Sequence, residues 1–461
     1  MSTKLTQNLQ HNDNLFLHPW ESIDAVGRNK RTVVTEGDGI YITDSDGNRL
    51  LDGPAGMWCV NIGHRRSEMA KAISDQIMEL TYVSPWSLTN APASLLADKL
   101  ASLSPGDLNH VFYTTGGSTA VDSALRFVMF RNNVLKRPNK KHIIARNNGY
   151  HGSTYLAASA SGKSRDKNFL DFKKDTFHHI SDPNMLDKPN GMTELQWCGL
   201  KVDELESKIM EIGTDNVAAF IAEPILASGG VILAPEGYHA GCLAVCHKHD
   251  VLYISDEVVT AFGRLGHFFA SEAVFGIQPD IITCAKGITS GYVPLGAFLV
   301  SDKLLKTVQK EDSGAYFSNG FTYSGHPVAC AAALKNIEIM EREKLMEHVQ
   351  EVAPYFQSRL KTLLEHPIVT NVRGIGLMAC VECDINKGRE KKLVLDYEIG
   401  NRIDKHCQAL GLLVRPIINM CVMSPPLIIT HEQIDELVEK LGKGIELAAR
   451  EVEQEGLWKS S

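Results

Sequence analysis

Residues 279–297, PDIITCAKGITSGYVPLGA, decide the fold. The apolar run inside DIITCAK (280–286) is short and closes on Lys286-Gly287 and a glycine-rich loop, which reads as a buried strand ending in a turn. Five similar runs flank it: HVFYTT (110–115), HIIARN (142–147), AAFIAEP (218–224), VLYISDE (251–257) and GAFLVSD (296–302). Between the runs lie segments of helical period, such as Ala91–Leu103, Thr119–Asn132 and Lys201–Ile212. Short apolar strands alternating with amphipathic helices predict an α/β fold, with a mostly parallel central sheet covered by helices.

Outside this region the pattern changes. Residues 1–30 are polar and irregular, with a weak helix expected from about Trp20, and IYITDSDGNRLLDG (40–53) reads as a hairpin around Asp46-Gly47. After Pro327 a helical stretch, ACAAALKNIEIMEREKL, leads into a last α/β unit containing GIGLMACVECD, LLVRPIIN and MSPPLII. A final helix runs from about His431 to Glu453, with Ile434, Leu437, Val438, Leu441 and Ile445 on one face. The expected organisation is a large domain over 65–327, with a smaller α/β domain built from both chain ends, 1–64 and 328–461.

Composition narrows the function. Forty-seven basic against fifty-five acidic residues give a net charge of −8, which argues against nucleic-acid or anionic-membrane partners. No apolar stretch is long and unbroken enough to span a bilayer, and the first fourteen residues lack the apolar core of a signal peptide. Ten cysteines in 461 residues are too sparse for a disulfide scaffold, so a reducing, cytoplasmic setting is expected.

Four strand ends carry chemistry. Lys286 stands at the carboxyl end of its strand, the edge where open α/β sheets bind ligands. It reads either as a snorkelling lysine or as an amine whose pKa falls on burial so that it forms a Schiff base. In LYISDEVVTAFGR, Asp256 and Glu257 end a second strand; one could cap the next helix, or a buried carboxylate could pair with a protonated pyridine nitrogen. In FYTTGGSTAVDSALRF, Gly116-Gly117-Ser118 is either a plain turn or a phosphate cradle at a helix N-terminus. In NNGYHGS, Tyr150 could lie on a flat ring.

With those segments in order, the chain resembles the class III (ω-type) aminotransferases, fold-type I enzymes that use pyridoxal 5′-phosphate (PLP). The likeness runs from about residue 20 to 450 through NHVFYTTGGSTAVDSAL, NGYHGST, AAFIAEP, LYISDEVVTAFGRLG, PDIITCAKGITSGYVPLGA and GFTYSGHPVACAAAL. The resemblance implies that Lys286 is the Schiff-base lysine and proton carrier, and that Asp256 pairs with the pyridine nitrogen. Tyr150 and Val258 bound the two ring faces, and Glu223 sits near Asp256 on the ring-hydroxyl side. Gly117 and Ser118 bind the phosphate, and Thr322 of the partner subunit completes that cradle. It therefore implies a homodimer with shared sites, two or four copies in all. Where the family usually has Gly-Ser-Glu-Ala, this chain has Gly117-Ser118-Thr119-Ala120, which puts cofactor affinity in question.

The resemblance also bears on substrate. Ornithine- and GABA-type members carry a second glutamate where this chain has Ser228, in EPILASGG. Arg415, in LLVRPIIN, matches the arginine that holds the acceptor's carboxylate in pyruvate-dependent members, and Trp58, in GPAGMWCVNIGH, matches an aromatic of the substrate pocket. Trp20 and Trp86 are candidates for further walls, or in Trp86's case for the core. The expected activity is transfer of an amino group from a primary amine or ω-amino acid to pyruvate. An aminomutase or decarboxylase on the same scaffold, or a ligand-sensing module, are the alternatives. No metal is expected: Cys242 and Cys246 share an apolar helix face, and alternation sends Cys380 and Cys383 to opposite faces of a strand.

Overall fold

The computed structural model describes residues 3–309, 314–385 and 393–458. Its centre is a seven-stranded sheet, ordered His110–Thr114, Gly296–Val300, Ile281–Cys284, Leu252–Asp256, Val217–Ala222, His142–Arg146, Phe177–Ile180. All pairings are parallel except those of Gly296–Val300, which runs antiparallel to both neighbours. Strands Val217–Ala222 and Leu252–Asp256 are buried at every position, as expected of a sheet covered on both faces. The six apolar runs read from sequence are six of these strands. Phe177–Ile180 is the addition: its two central histidines, His178 and His179, broke the apolar pattern.

The helices that cover the sheet follow their sequence signals. Ala91–Leu103 starts where the Asn90 side chain accepts the Ala93 N–H at 2.9 Å. Gly117–Val134 leaves the first strand directly and buries Val121, Ala124, Leu125 and Val128 against the sheet. Glu194–Ile212 and His431–Gln454 each open with a capping box, Thr193/Gln196 and Thr430/Gln433. The last helix buries Ile434, Leu437, Val438, Leu441 and Ile445.

The chain ends meet in a second sheet, in which Arg49–Asp52 pairs in parallel with Leu412–Leu413. The hairpin of Tyr41–Asp44 and Arg49–Asp52 turns at Asp46-Gly47, where the Asp44 carboxylate accepts the N–H groups of Asp46 and Asn48. A third sheet, antiparallel throughout, holds Val369–Ile375, Met378–Cys383, Met420–Met423 and the edge strand Arg415–Ile417. The expectation for residues 1–30 needs correction. A helix spans Thr3–Asp13, tied down by the Thr6 hydroxyl on Ser45 and Asp46, while the region after Trp20 holds only a short 3-10 turn, Ile23–Ala25. No helix among the described residues is long and apolar enough to cross a membrane.

Candidate active site

Lys286 opens a single 3-10 turn, Lys286–Ile288, just past strand Ile281–Cys284. Its φ of 46° lies in the left-handed region, which a side chain adopts only when its surroundings impose it. Asn336 supplies that restraint: its Nδ2 donates to the carbonyls of Gly287 and Ile288 at 2.9 and 3.0 Å, and its Oδ1 accepts from Ser290. Gly287 has no room for a side chain, since a Cβ there would lie 2.5 Å from Asn61 Nδ2. The Lys286 amine projects toward Trp58, with Nζ 5.6 Å from the ring centroid, and has no hydrogen-bond or ion-pair partner among the described residues. Burial pushes its pKa down, against the opposing pull of the Asp256 and Glu223 carboxylates.

Asp256 ends the neighbouring strand and is not a solvated cap. Its side chain is 3% exposed, with Oδ2 2.7 Å from His151 Nδ1. Oδ1 accepts from Thr283 Oγ1 at 3.1 Å and from the Val258 N–H at 3.2 Å. Glu257, the adjacent carboxylate, points into the core instead. It accepts from the Ala270 and Ser271 N–H groups and from the Ser271 and Thr260 hydroxyls, so its role is structural. Glu223 is buried at the end of strand Val217–Ala222, where it accepts the N–H groups of Tyr150 at 2.9 Å and Ala227 at 3.1 Å; desolvation raises its pKa.

The glycine turn packs on the loop that follows His142–Arg146. Ser118 Oγ accepts the Ser153 N–H at 3.0 Å, and a Cβ on Gly152 would strike Ser118 at 2.6 Å. A Cβ on Gly117 would meet Val258 at 3.0 Å, so the turn, Val258 and the Lys286 strand end converge. Thr119 turns its hydroxyl back onto the Gly116 carbonyl at 2.8 Å, satisfying an acceptor at the helix start. Tyr150 is fixed by a 3.1 Å contact between its hydroxyl and Ser153 Oγ.

Trp58, itself at a left-handed φ of 60°, stands beside two basic side chains, Lys286 and Arg415, whose guanidinium carbon is 5.9 Å from the ring centroid. Arg415 is partly buried and, like Lys286, has no hydrogen-bond or ion-pair partner among the described residues. Burial depresses its pKa, and its nearest charge influence is Tyr150. One structure thus brings together Lys286, Asp256, Glu223, Tyr150, Val258, Gly117, Ser118, Trp58 and Arg415. Trp20 joins them, with its ring 6.3 Å from Tyr150.

Two predicted positions lie elsewhere. Thr322 is exposed and its carbonyl accepts from the Tyr82 hydroxyl at 2.8 Å; Trp86 is 94% exposed, so it is neither core nor a wall of this chain's pocket. Two site residues escaped sequence reasoning: His151 and Thr283, both on Asp256. His151 sits in the same NNGYHGS loop as Tyr150, which was its only signal. Cys242 and Cys246 are core residues, Cys380 and Cys383 pack into different apolar clusters, and no metal-binding group forms among the described residues. A cavity of about 700 Å³ lies elsewhere, lined by phenylalanines including Phe112, Phe127 and Phe317, and includes neither Lys286 nor Asp256.

These groups fit PLP: a desolvated amine without a partner, a buried carboxylate with two neutral-side contacts, a glycine turn at a helix N-terminus and an aromatic ring beside them. The comparisons agree. The family model for class-III aminotransferases matches residues 23–445. A putrescine–pyruvate aminotransferase of Pseudomonas aeruginosa is 39% identical over 438 residues, 95% of each chain. A mitochondrial γ-aminobutyrate transaminase of rice (Oryza sativa subsp. indica) is 37% identical, covering 95% of this chain and 84% of its own. The crystal structure of an (S)-enantioselective ω-transaminase from Thermomicrobium roseum superposes with a TM-score of 0.91 at 37% identity, over 96% of this chain and 98% of its own. The chain belongs to the class III aminotransferases and is a PLP-dependent transaminase.

Proposed function

We propose that this enzyme moves the amino group of a primary amine or ω-amino acid to pyruvate, giving alanine, by a ping-pong sequence. The observation that carries the reading is Arg415, a partly buried guanidinium on the pocket wall with no partner of its own. Its planar fork suits a carboxylate bidentately, and the acceptor is the substrate that always has one. By the family resemblance, Ser228 stands where ornithine- and GABA-type members carry a glutamate that pairs with a substrate-binding arginine. The name of the 39%-identical relative supports pyruvate as acceptor, while the other relative's name puts GABA among the donors of this family.

Bound PLP supplies an electron sink for the pair left when a proton leaves the amine-bearing carbon. Lys286 would hold the cofactor through its amine. Once the substrate amine has displaced it, Lys286 Nζ would take the proton from that carbon and deliver it to the cofactor's C4′, and burial favours the neutral amine this requires. Asp256 would keep the pyridine nitrogen protonated, and His151 and Thr283 fix the carboxylate's orientation. Tyr150 and Val258 would bound the ring faces, with Glu223 beside Asp256. Gly117 and Ser118 would bind the phosphate, with Thr322 of the partner subunit completing the cradle in a homodimer. The exposed Tyr316, Tyr323 and Trp86 support a partner surface of that kind.

An amine-donor panel offered with pyruvate or 2-oxoglutarate tests the proposal, scored as alanine or glutamate formed. Alanine should form faster than glutamate, in line with the acceptor in the 39%-identical relative's name. A preference for 2-oxoglutarate would overturn the acceptor assignment.

A further inference from the structure

Beside Tyr150 stands a second basic side chain, Lys163, that transamination itself does not require. Gly162 passes so close to the preceding strand end that a Cβ would lie 2.0 Å from the Arg146 carbonyl oxygen and 2.7 Å from Asn147 Cα. Its N–H donates to the Gly149 carbonyl at 2.8 Å. This close pass sets the next residue, Lys163, against the Tyr150 loop. Lys163 Nζ lies 5.7 Å from the Tyr150 ring centroid and donates to the Ser228 carbonyl at 2.6 Å. Tyr150 also faces Arg415 electrostatically. Neither Lys163 nor Arg415 forms an ion pair with a carboxylate among the described residues.

We infer that Lys163 determines donor specificity: together with Arg415 it makes the donor pocket cationic, selecting monoamines and donors with a distal anion over diamines. The inference rests on the amine:pyruvate reading above.

Burial pushes the Lys163 amine down to about 8. Arg165 and Arg415 add to that fall, while Glu223 and Asp166 oppose it. The remaining neighbours, the Tyr150 ring and the Ser228 carbonyl, carry no charge, since burial raises the Tyr150 phenol. Lys163 is therefore cationic below pH of about 8 and neutral above it. The distal ammonium of a diamine keeps its proton up to a pKa of about 10.4. Repulsion should thus be strongest at neutral pH and fade as pH rises.

The test uses holoenzyme with saturating pyruvate and three donors of equal chain length: a monoamine, a diamine and an ω-amino acid. The quantity read is kcat/KM for the diamine relative to the monoamine, from about pH 7 to 9.5, in wild type, Lys163→Met and Lys163→Arg. Like charges roughly 7 Å apart at an effective dielectric constant of about 20 are worth more than tenfold. The ratio should rise about tenfold in Lys163→Met and stay low in Lys163→Arg. In wild type it should climb through pH of about 8, and the ω-amino acid should show the opposite trend. Competitive acetylation, read on the Lys163 peptide without turnover, should titrate below the surface lysines. A ratio unchanged in Lys163→Met, or flat with pH in wild type, overturns the inference while leaving the amine:pyruvate reading intact. If no donor yields alanine, that reading falls and takes the inference with it.

Discussion

Replacing Arg415 by glutamine should split the catalytic cycle in two. The guanidinium has no partner among the described residues, so the substitution breaks no existing network, and glutamine retains part of the stem beside Trp58. What disappears is the charge-assisted fork for the acceptor. Such contacts are worth roughly 1.5–3 kcal/mol, so KM for pyruvate should rise about ten- to a hundredfold. Arg415→Lys keeps the charge without the fork and should fall between. The amine half-reaction has no carboxylate to hold and should slow far less. Rapid mixing resolves the two, because the bound cofactor's absorbance changes on amine addition and reverts on pyruvate addition. Equal slowing of both half-reactions would refute the assignment and make Arg415 a structural residue of its edge strand.

Asp256→Asn keeps an acceptor for Thr283 and Val258 but loses the charge, so kcat should fall about 10²-fold or more while cofactor remains bound; a kcat within twofold of wild type would count against the pairing. Thr119→Val removes the hydroxyl that closes the turn on Gly116, worth about 0.5–1.5 kcal/mol, and PLP titration of the apo protein should show several-fold weaker binding. Burial raises the Asp404 carboxyl from 3.8 to about 6, with Gln408 its side-chain partner and Oδ1 unpaired. A carboxyl whose folded pKa is raised costs stability as pH climbs through that window, so Asp404→Asn should raise the melting temperature at neutral pH, by at most about 3 kcal/mol of stability, and the gain should vanish below the window. A gain that persists at low pH would assign the effect to packing.

Much of this site was legible because it sits at strand ends. Lys286, Asp256, Glu223 and the Gly117-Ser118 turn each follow a short apolar run, and a parallel sheet gathers its carboxyl ends along one edge. The residues that position them were not legible in the same way. His151 reaches Asp256 across 105 positions of sequence, and Asn336 reaches the Lys286 turn across 49. Neither pairing leaves a periodic trace, because each depends on how the helix after Pro327 and the loop after Arg146 pack on the sheet. Glu257 makes the same point in reverse. Adjacent to Asp256 and of the same chemistry, it was separable only by strand alternation, which sends one carboxylate to the site and the other into a cage of N–H and hydroxyl donors.

The charge balance around Tyr150 was the least legible property, and it is the one on which the inferred donor preference rests. Ser228 could be read only as a missing glutamate. In the structure its main-chain carbonyl accepts from Lys163 Nζ at 2.6 Å, so the position where the resemblance expects a glutamate lies against a basic side chain. That contact is to the main chain and does not depend on the serine side chain, so what position 228 itself contributes is the lack of a carboxylate. The placement of Lys163 depends on Gly162, since any side chain there would collide with Arg146 and displace Lys163 from Tyr150. The inferred donor preference thus rests on Gly162, a residue that carries no charge of its own.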